Sequence, residues 1–263
     1  MAENNQDSTA ARDETNLAAE PDSAGGDRFW KQYFQLFLAI LFFYLVLFCL
    51  IPAPGNPGTP LIVNCRENLS AIGKALQSYQ QVHGCLPPAY VADSSGRPIH
   101  SWRALILPQF EAPPFDDRYH FEEPWDGPAN RRLGRVAERR LRCLRDAGLR
   151  TDTSYLAVVG PDAGWTGAEP RRSTEMAPDT ILLSEVPQSG VGWLEPRDLS
   201  PDDLRRLSKA IRDGAQRGNH ADGFHVLLAD FTVRFLPNDL EPAKLEAMLT
   251  IEADGDASPA VEK

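Results

Sequence analysis

Basic residues are scarce. Lys and Arg number 27 against 37 Asp and Glu, a formal net charge of −10 over 263 residues. That excludes general nucleic-acid binding, which needs a basic surface. Four cysteines are too few for a disulfide-scaffold protein. The chain has no Gly-x-Ser-x-Gly, P-loop or dinucleotide fingerprint, and no Cys-x-x-Cys or His-Glu-x-x-His. No motif therefore marks a catalytic centre, a nucleotide site or a zinc site. What is present excludes a wholly disordered or collagenous chain. Hydrophobic residues make up 42% and charged residues 24%, near a soluble globular average. The length suits one or two domains.

Residues 1–28 carry Glu3, Asp7, Asp13, Glu14, Glu20, Asp22 and Asp27 against Arg12 and Arg28. With almost no large apolar side chains, they cannot offset their ordering entropy and are expected to be a disordered acidic tail. Residues 29–51 are the opposite. Tyr33 to Ile51 contains one polar residue, Gln35, and about 19 helical residues span roughly 28 Å, close to a bilayer's hydrocarbon thickness. A cleaved signal peptide has a shorter apolar core and a small-residue cleavage site. Cys49-Leu50-Ile51-Pro52 is not one, so a retained transmembrane helix is expected. Arg28 and Lys31 flank its N-terminal side, and no Lys or Arg follows until Arg66. The positive-inside rule then places the tail in the cytoplasm and the rest outside, as a single-pass protein of the cytoplasmic membrane.

Residues 52–60 form a Pro/Gly linker that stops the helix. One domain is expected over 61–250, with a flexible tail at 251–263. It begins with a helix from Asn64 to His83, because Leu69, Ile72, Leu76, Tyr79 and His83 recur at alternating three and four residues. Short apolar runs bounded by turns follow at Trp102–Leu107, Ser154–Val159 and Thr180–Val186. Phe224–Leu228 and Val233–Leu236 read as a hairpin. Helical patterns cover Asn130–Leu144, Asp203–Arg212 and Glu241–Thr250. The fold class expected is α+β with mostly antiparallel strands.

From Cys65 onward the chain resembles the domain of unknown function 1559 family, a pilin-like, planctomycete-type group of bacterial envelope proteins. The opening motif survives as Cys65, Asn68, Leu69, Ile72, Gly73, Ala75, Leu76 and Tyr79. Pro87-Pro88-Ala89-Tyr90, His100-Ser101-Trp102-Arg103, Glu123-Pro124-Trp125-Asp126, Cys143 and Thr153-Ser154-Tyr155 follow. Ser184-Glu185-Val186, Trp193 and Glu195-Pro196-Arg197-Asp198-Leu199 come next, then His220 and Asp230 at the family's spacing. The resemblance implies a long helix packed on a mostly antiparallel sheet. The chain departs from the family at four places. It lacks the prepilin peptide at the membrane helix, and its Pro-rich linker interrupts the helix that runs unbroken in pilins. Glu67 replaces an Asn. Phe231 stands where the family carries Gly, and because a Phe at positive φ costs of order 1–3 kcal/mol, an altered turn is expected there.

Among the exported cysteines, Cys65 and Cys85 at the ends of one helix are roughly 25–30 Å apart, too far for a bond. Cys143 is then a partner in any intrachain disulfide, with Cys65 or Cys85, and three free thiols are the alternative. The family's motif cysteines correspond to Cys65 and Cys143, so the resemblance implies that pair. His220 and Asp230 can meet across the hairpin, which would raise the histidine pKa. A triad with Ser154 or Ser101 needs geometry that no motif supplies. Calcium, which pseudopilins often hold in a C-terminal loop, would draw on Glu195, Asp198, Asp222 and Asp230, though their spacing is not that of an EF-hand. No other cofactor and no metal site is expected. Trp102, Trp125, Trp165 and Trp193 in loops can stack on a sugar or peptide, or bury their rings. Seven arginines between Arg131 and Arg145 form a basic cluster or a solvated helix face.

The role expected is non-enzymatic: a membrane-anchored envelope protein whose partners are the membrane and other envelope proteins or copies of itself. It has no nucleic acid and no known small-molecule ligand. An anchored binding module for a solute, glycan or peptide is the alternative, with Trp102, Trp125, Trp193, Glu195, Asp198, His220 and Asp230 as binding candidates. A hydrolase around His220 ranks below both.

Overall fold

A computed structural model of the chain describes residues 30, 33–44, 59–110, 118–136 and 138–251. The chain divides into two compact units, Met1–Gly55 and Asn56–Lys263. In the first, α1 (33–44) is helical, and Phe34, Phe37, Phe42 and Phe43 are exposed along it. Among the described residues no helix is long and apolar enough to cross a membrane. The acidic tail, residues 45–51 of the apolar run and the linker up to 58 lie outside the described residues.

The second unit is α+β with antiparallel sheets. Its elements are α2 (Thr59–His83), β1 (Tyr90–Ala92), β2 (Pro98–Ser101), α3 (Trp102–Leu105), α4 (Pro128–Gly134) and β3 (Tyr155–Ala157). β4 (Ile181–Glu185), α5 (Pro201–Arg212), β5 (Gly223–Leu228), β6 (Val233–Pro237) and α6 (Pro242–Leu249) follow. β1 and β2 pair alone, and the main sheet runs β3-β4-β5-β6, every pair antiparallel.

The apolar stripe of α2 explains its seat. Leu69, Ile72 and Leu76 are fully buried against Trp102, Tyr155, Leu183 and Leu227. Each contributes about 1.5–3 kcal/mol by leaving water. Gly73 lets the helix come close, since a Cβ there would lie 2.9 Å from Leu227 Cδ1. α2 starts at Thr59 rather than at the expected Asn64. Pro60 is tolerated because the first-turn N–H has no helical partner in any case. The helix ends at Gly84, whose φ is +79°. The opposite sheet face packs Val158, Ile181, Phe224, Val226 and Leu228 against Leu204 of α5 and Leu245 and Met248 of α6. Covered on both sides, β4 and β5 are buried at every residue, which is why they read as continuous apolar runs rather than alternating ones. α5 begins on a capping box, Ser200 with Asp203.

Two elements differ from expectation. Trp102–Leu107 is not extended: α3 and a 3-10 turn at Leu107–Gln109 replace it, with Ser101 Oγ accepting from the Arg103 amide as cap. The single helix over Asn130–Leu144 is also overturned. α4 stops at Gly134, and a 3-10 turn follows at Arg139–Leu141. The carbonyls a longer helix would use are taken elsewhere. Asn68 Nδ2 donates to the Arg139 and Arg142 carbonyls, and Thr153 Oγ1 and the Ser154 amide donate to that of Leu141. The basic cluster is therefore not one helical face.

The expected hairpin is present, with Leu227 opposite Val233. Its turn is not altered in the way expected. Phe231 takes the left-handed conformation at φ +63°. Asp230 holds the turn by accepting from the amide and hydroxyl of Thr232, at 2.8 and 2.6 Å, and the Phe231 ring packs on the core.

Candidate functional site

One cluster of ligand-type side chains stands out. Cys65 projects from α2, Cys143 follows the 3-10 turn, Glu185 ends β4, and His220 precedes β5. All four are buried, and their ligand atoms lie within 4.8 Å of one another. The two sulfurs are 2.6 Å apart, and both cysteines are free thiols. His220 Nε2 lies 3.9 Å from Cys143 Sγ and 3.1 Å from Glu185 Oε1. The other carboxylate oxygen accepts from the His225 amide and faces His225 Nδ1, each at 3.1 Å. Asn219 Nδ2 also donates to Oε1, at 3.3 Å.

Local sequence builds this convergence. His220 and His225 pack edge to face, 5.1 Å between centroids, and Phe235 of β6 sits 5.0 Å from His225. The aromatic stack leaves no room at Gly223, where a Cβ would fall 2.1 Å from the Leu236 carbonyl oxygen and 2.8 Å from the Phe235 ring. Cys143 is held through its amide, which donates to Ser154 Oγ at 2.9 Å, and Cys65 through its carbonyl, which accepts from the Tyr155 hydroxyl at 3.3 Å.

The electrostatics follow from geometry. Burial pushes the Glu185 carboxyl up, but hydrogen bonds from His220 and His225 outweigh it and hold it well below the usual range. For His220, burial favours the neutral ring, yet Cys65 and Glu185 together raise it to about 9. The hydrogen bond from Cys143, opposed by burial and aided by His220, lowers Cys65 to about 6. Cys143 moves upward because it keeps the proton the two sulfurs share and because it is buried. The reduced cluster thus carries a carboxylate, an imidazolium and a shared thiol proton in the buried interior.

This arrangement is not a hydrolytic triad. His220 uses the same nitrogen toward the sulfur and the carboxylate, whereas a relay needs one nitrogen for each. Ser154 Oγ donates to Asp146 at 2.6 Å, and Ser101 Oγ accepts from Arg103. Neither serine is turned to His220. The expected His220–Asp230 contact is also corrected. Those residues lie at opposite ends of β5, a six-residue strand spanning about 20 Å.

The other candidates fall into separate places. Trp102 and Asp198 belong to a second buried knot. Trp102 Nε1 donates to Asp198 Oδ1 at 3.2 Å, and Arg103 Nη2 meets the same oxygen at 2.5 Å. Glu195 accepts from Arg197 Nε at 2.7 Å. Asp222 and Asp230 are exposed at the two ends of β5, so the four acids weighed for calcium do not converge. Trp125 and Trp193 do come together, with Asp126, Arg131 and Arg135, around a surface pocket of about 400 Å³. The Trp193 ring is fixed by its Nε1 donating to the Val136 carbonyl at 2.9 Å.

Motif reasoning missed Glu185 as a site residue. Its signal was present: a carboxylate inside the apolar run Ile181-Leu182-Leu183-Ser184-Glu185-Val186 needs a buried partner.

Fold and site together define an α+β domain whose interior holds a closed thiol, imidazole and carboxylate cluster. Over residues 63–145 the chain matches the family described as a protein of unknown function (DUF1559), in keeping with the resemblance carried by its motifs. The matched segment contains Cys65 and Cys143 but stops short of Glu185 and His220. No curated protein and no solved structure matches the chain.

Proposed function

We propose that the protein is a non-enzymatic, membrane-anchored envelope component with an exported, pilin-like domain serving a structural or assembly role. One observation carries this reading: the side chains of Trp102, Asp198, His220 and both motif cysteines are buried inside the core. Ionisable groups sealed from water and bonded to one another support a fixed scaffold rather than turnover. The apolar run around α1 supports the anchor. In the exported compartment Cys65 and Cys143 form a disulfide that ties α2 to the sheet, and closing so long a loop stabilises by roughly 4–5 kcal/mol in the chain-entropy model.

Cross-linking with mass spectrometry in native membranes, with a protease-accessibility control, tests the role. Residues 61–263 should be protease-accessible from outside and cross-linked to copies of themselves or to envelope proteins. A shielded or solitary domain sinks the reading. The pocket between Trp125 and Trp193 favours one second reading, an anchored binding module. The half-buried Trp125 ring with Arg131 and Arg135 suits a planar or sugar-like anion, Trp193 being buried beneath it, and Trp125→Ala would then abolish a saturable ligand response while leaving assembly intact.

A further inference from the structure

We propose that the reduced chain binds one Zn2+ ion through Cys65 Sγ, Cys143 Sγ, His220 Nε2 and one carboxylate oxygen of Glu185. This goes beyond the structural role, and it concerns the thiol state, since a disulfide removes two of the four donors.

A disulfide alone does not account for the cluster. It joins α2 to the segment before β3 and leaves unexplained why a carboxylate and an imidazole from two further segments aim at the same sulfurs. Four donors from four parts of the chain, all buried and within 4.8 Å of one another, are what a tetrahedral cation requires. Two sulfurs, one nitrogen and one oxygen match the borderline-soft preference of Zn2+ and exclude Ca2+ and Mg2+, which take oxygen ligands. The surroundings are also those of a metal ligand. Glu185 is oriented by the His225 amide and ring and by Asn219, the outer hydrogen bonds that hold a ligating carboxylate.

Binding needs a small adjustment. Zn–S bonds of about 2.3 Å in a tetrahedron set the sulfurs roughly 3.7 Å apart, against 2.6 Å here. Turning each cysteine side chain by about 20° supplies the difference within one rotamer well. The one proton shared by the two sulfurs and the proton between His220 and Glu185 leave to solvent as the cation enters, so two protons are exchanged for Zn2+ and the site's net charge is unchanged.

The test uses the full-length chain in mild detergent, reduced without oxygen, loaded with Zn2+ and desalted. One Zn2+ per chain should remain. With Co2+ in its place, the spectrum should show thiolate-to-cobalt charge transfer and the visible bands of a tetrahedral site. Cys143→Ser and His220→Ala should weaken binding at least about 100-fold, whereas Cys85→Ser should not change it. Circular dichroism checks that each variant folds; where one does not, the cobalt spectrum of the unaltered chain decides. A reduced, folded chain that retains no metal overturns the proposal. So does cobalt bound without thiolate charge transfer, or a Cys65–Cys143 pair that reductant cannot open in the folded chain.

Discussion

Two knots of buried charge hold this domain, and they are finished to different degrees. In the first, Arg103 places all five guanidinium N–H bonds. Nε donates to the Tyr155 carbonyl, Nη1 to Ser101 Oγ and the Glu195 carbonyl, and Nη2 to the Arg197 carbonyl and Asp198. Asp198 also accepts from Trp102 Nε1 and the Ala157 amide. Burial works against both charges, and their mutual attraction and these hydrogen bonds work for them. In the second, Glu185 is satisfied but His220 Nδ1 has no partner, and two sulfurs crowd one imidazole nitrogen. The comparison teaches that burial alone does not separate a structural centre from a candidate binding centre. Saturation does. Every donor of Arg103 ends on a fixed oxygen of its own chain, whereas the sulfurs keep lone pairs for a further ligand and His220 Nε2 offers one once its proton leaves.

Breaking the saturated knot should cost most. Asp198→Ala strands a buried guanidinium and should destabilise by about 3–5 kcal/mol in denaturant unfolding. A loss under 1 kcal/mol would mean that the carbonyls alone carry the arginine. Gly223→Ala should come next, at roughly 2–3 kcal/mol, because its methyl group must push β6 away from His225. It should also disturb the second knot and leave the first intact, which the fluorescence of Trp102 and Trp165, 5.6 Å apart with their planes tilted by 40°, would report.

The second knot is sharpened by pH. The His220 pKa is raised, so its contribution is complete below the unfolded value near 6.5 and lost as pH rises through about 9. The Cys65 pKa is depressed, so its contribution is complete above 9 and lost as pH falls through about 6. In the reduced chain these slopes oppose each other between roughly 6.5 and 9. Replacing both cysteines by Ser should uncover a stability that declines as pH rises above 6.5, over a narrower range because Cys65 no longer helps to raise His220, and adding Glu185→Gln should flatten it. A profile that stays flat in the double-Ser protein would remove the imidazolium from the picture. The smallest effect concerns the hairpin turn. Phe231→Gly relieves about 1–3 kcal/mol of backbone strain but gives up the ring's packing, so the unfolding free energy should change by no more than about 1 kcal/mol. A larger loss would show that the ring, not the backbone, sets the cost.

Much of the fold was legible in the chain. The α2 stripe, the Gly84 stop and the β5–β6 hairpin follow from local periodicity and turn chemistry. The errors have two causes, one distant and one local. Asn130–Leu144 has helical periodicity, yet its carbonyls bond to Asn68, Thr153 and Ser154, residues no local pattern reveals. Trp102–Leu107 looks extended by composition, and Ser101 caps it into a helix. In the site, the cysteine pair was legible through the family motif and His220 through its spacing. Its partner was assigned wrongly, because Asp230 is near in sequence and Glu185 is near in space.

The sequence by itself determined the acidic charge balance, the apolar run, the antiparallel α+β class and the two motif cysteines, because these rest on composition and short-range periodicity. Only the tertiary structure decided which groups meet. Cys65, Cys143, Glu185 and His220 span 156 positions from first to last, and they converge because α2 packs on a sheet whose strands β4 and β5 are neighbours. A pairing across such distances is set by sheet order and helix docking, which are properties of the folded core.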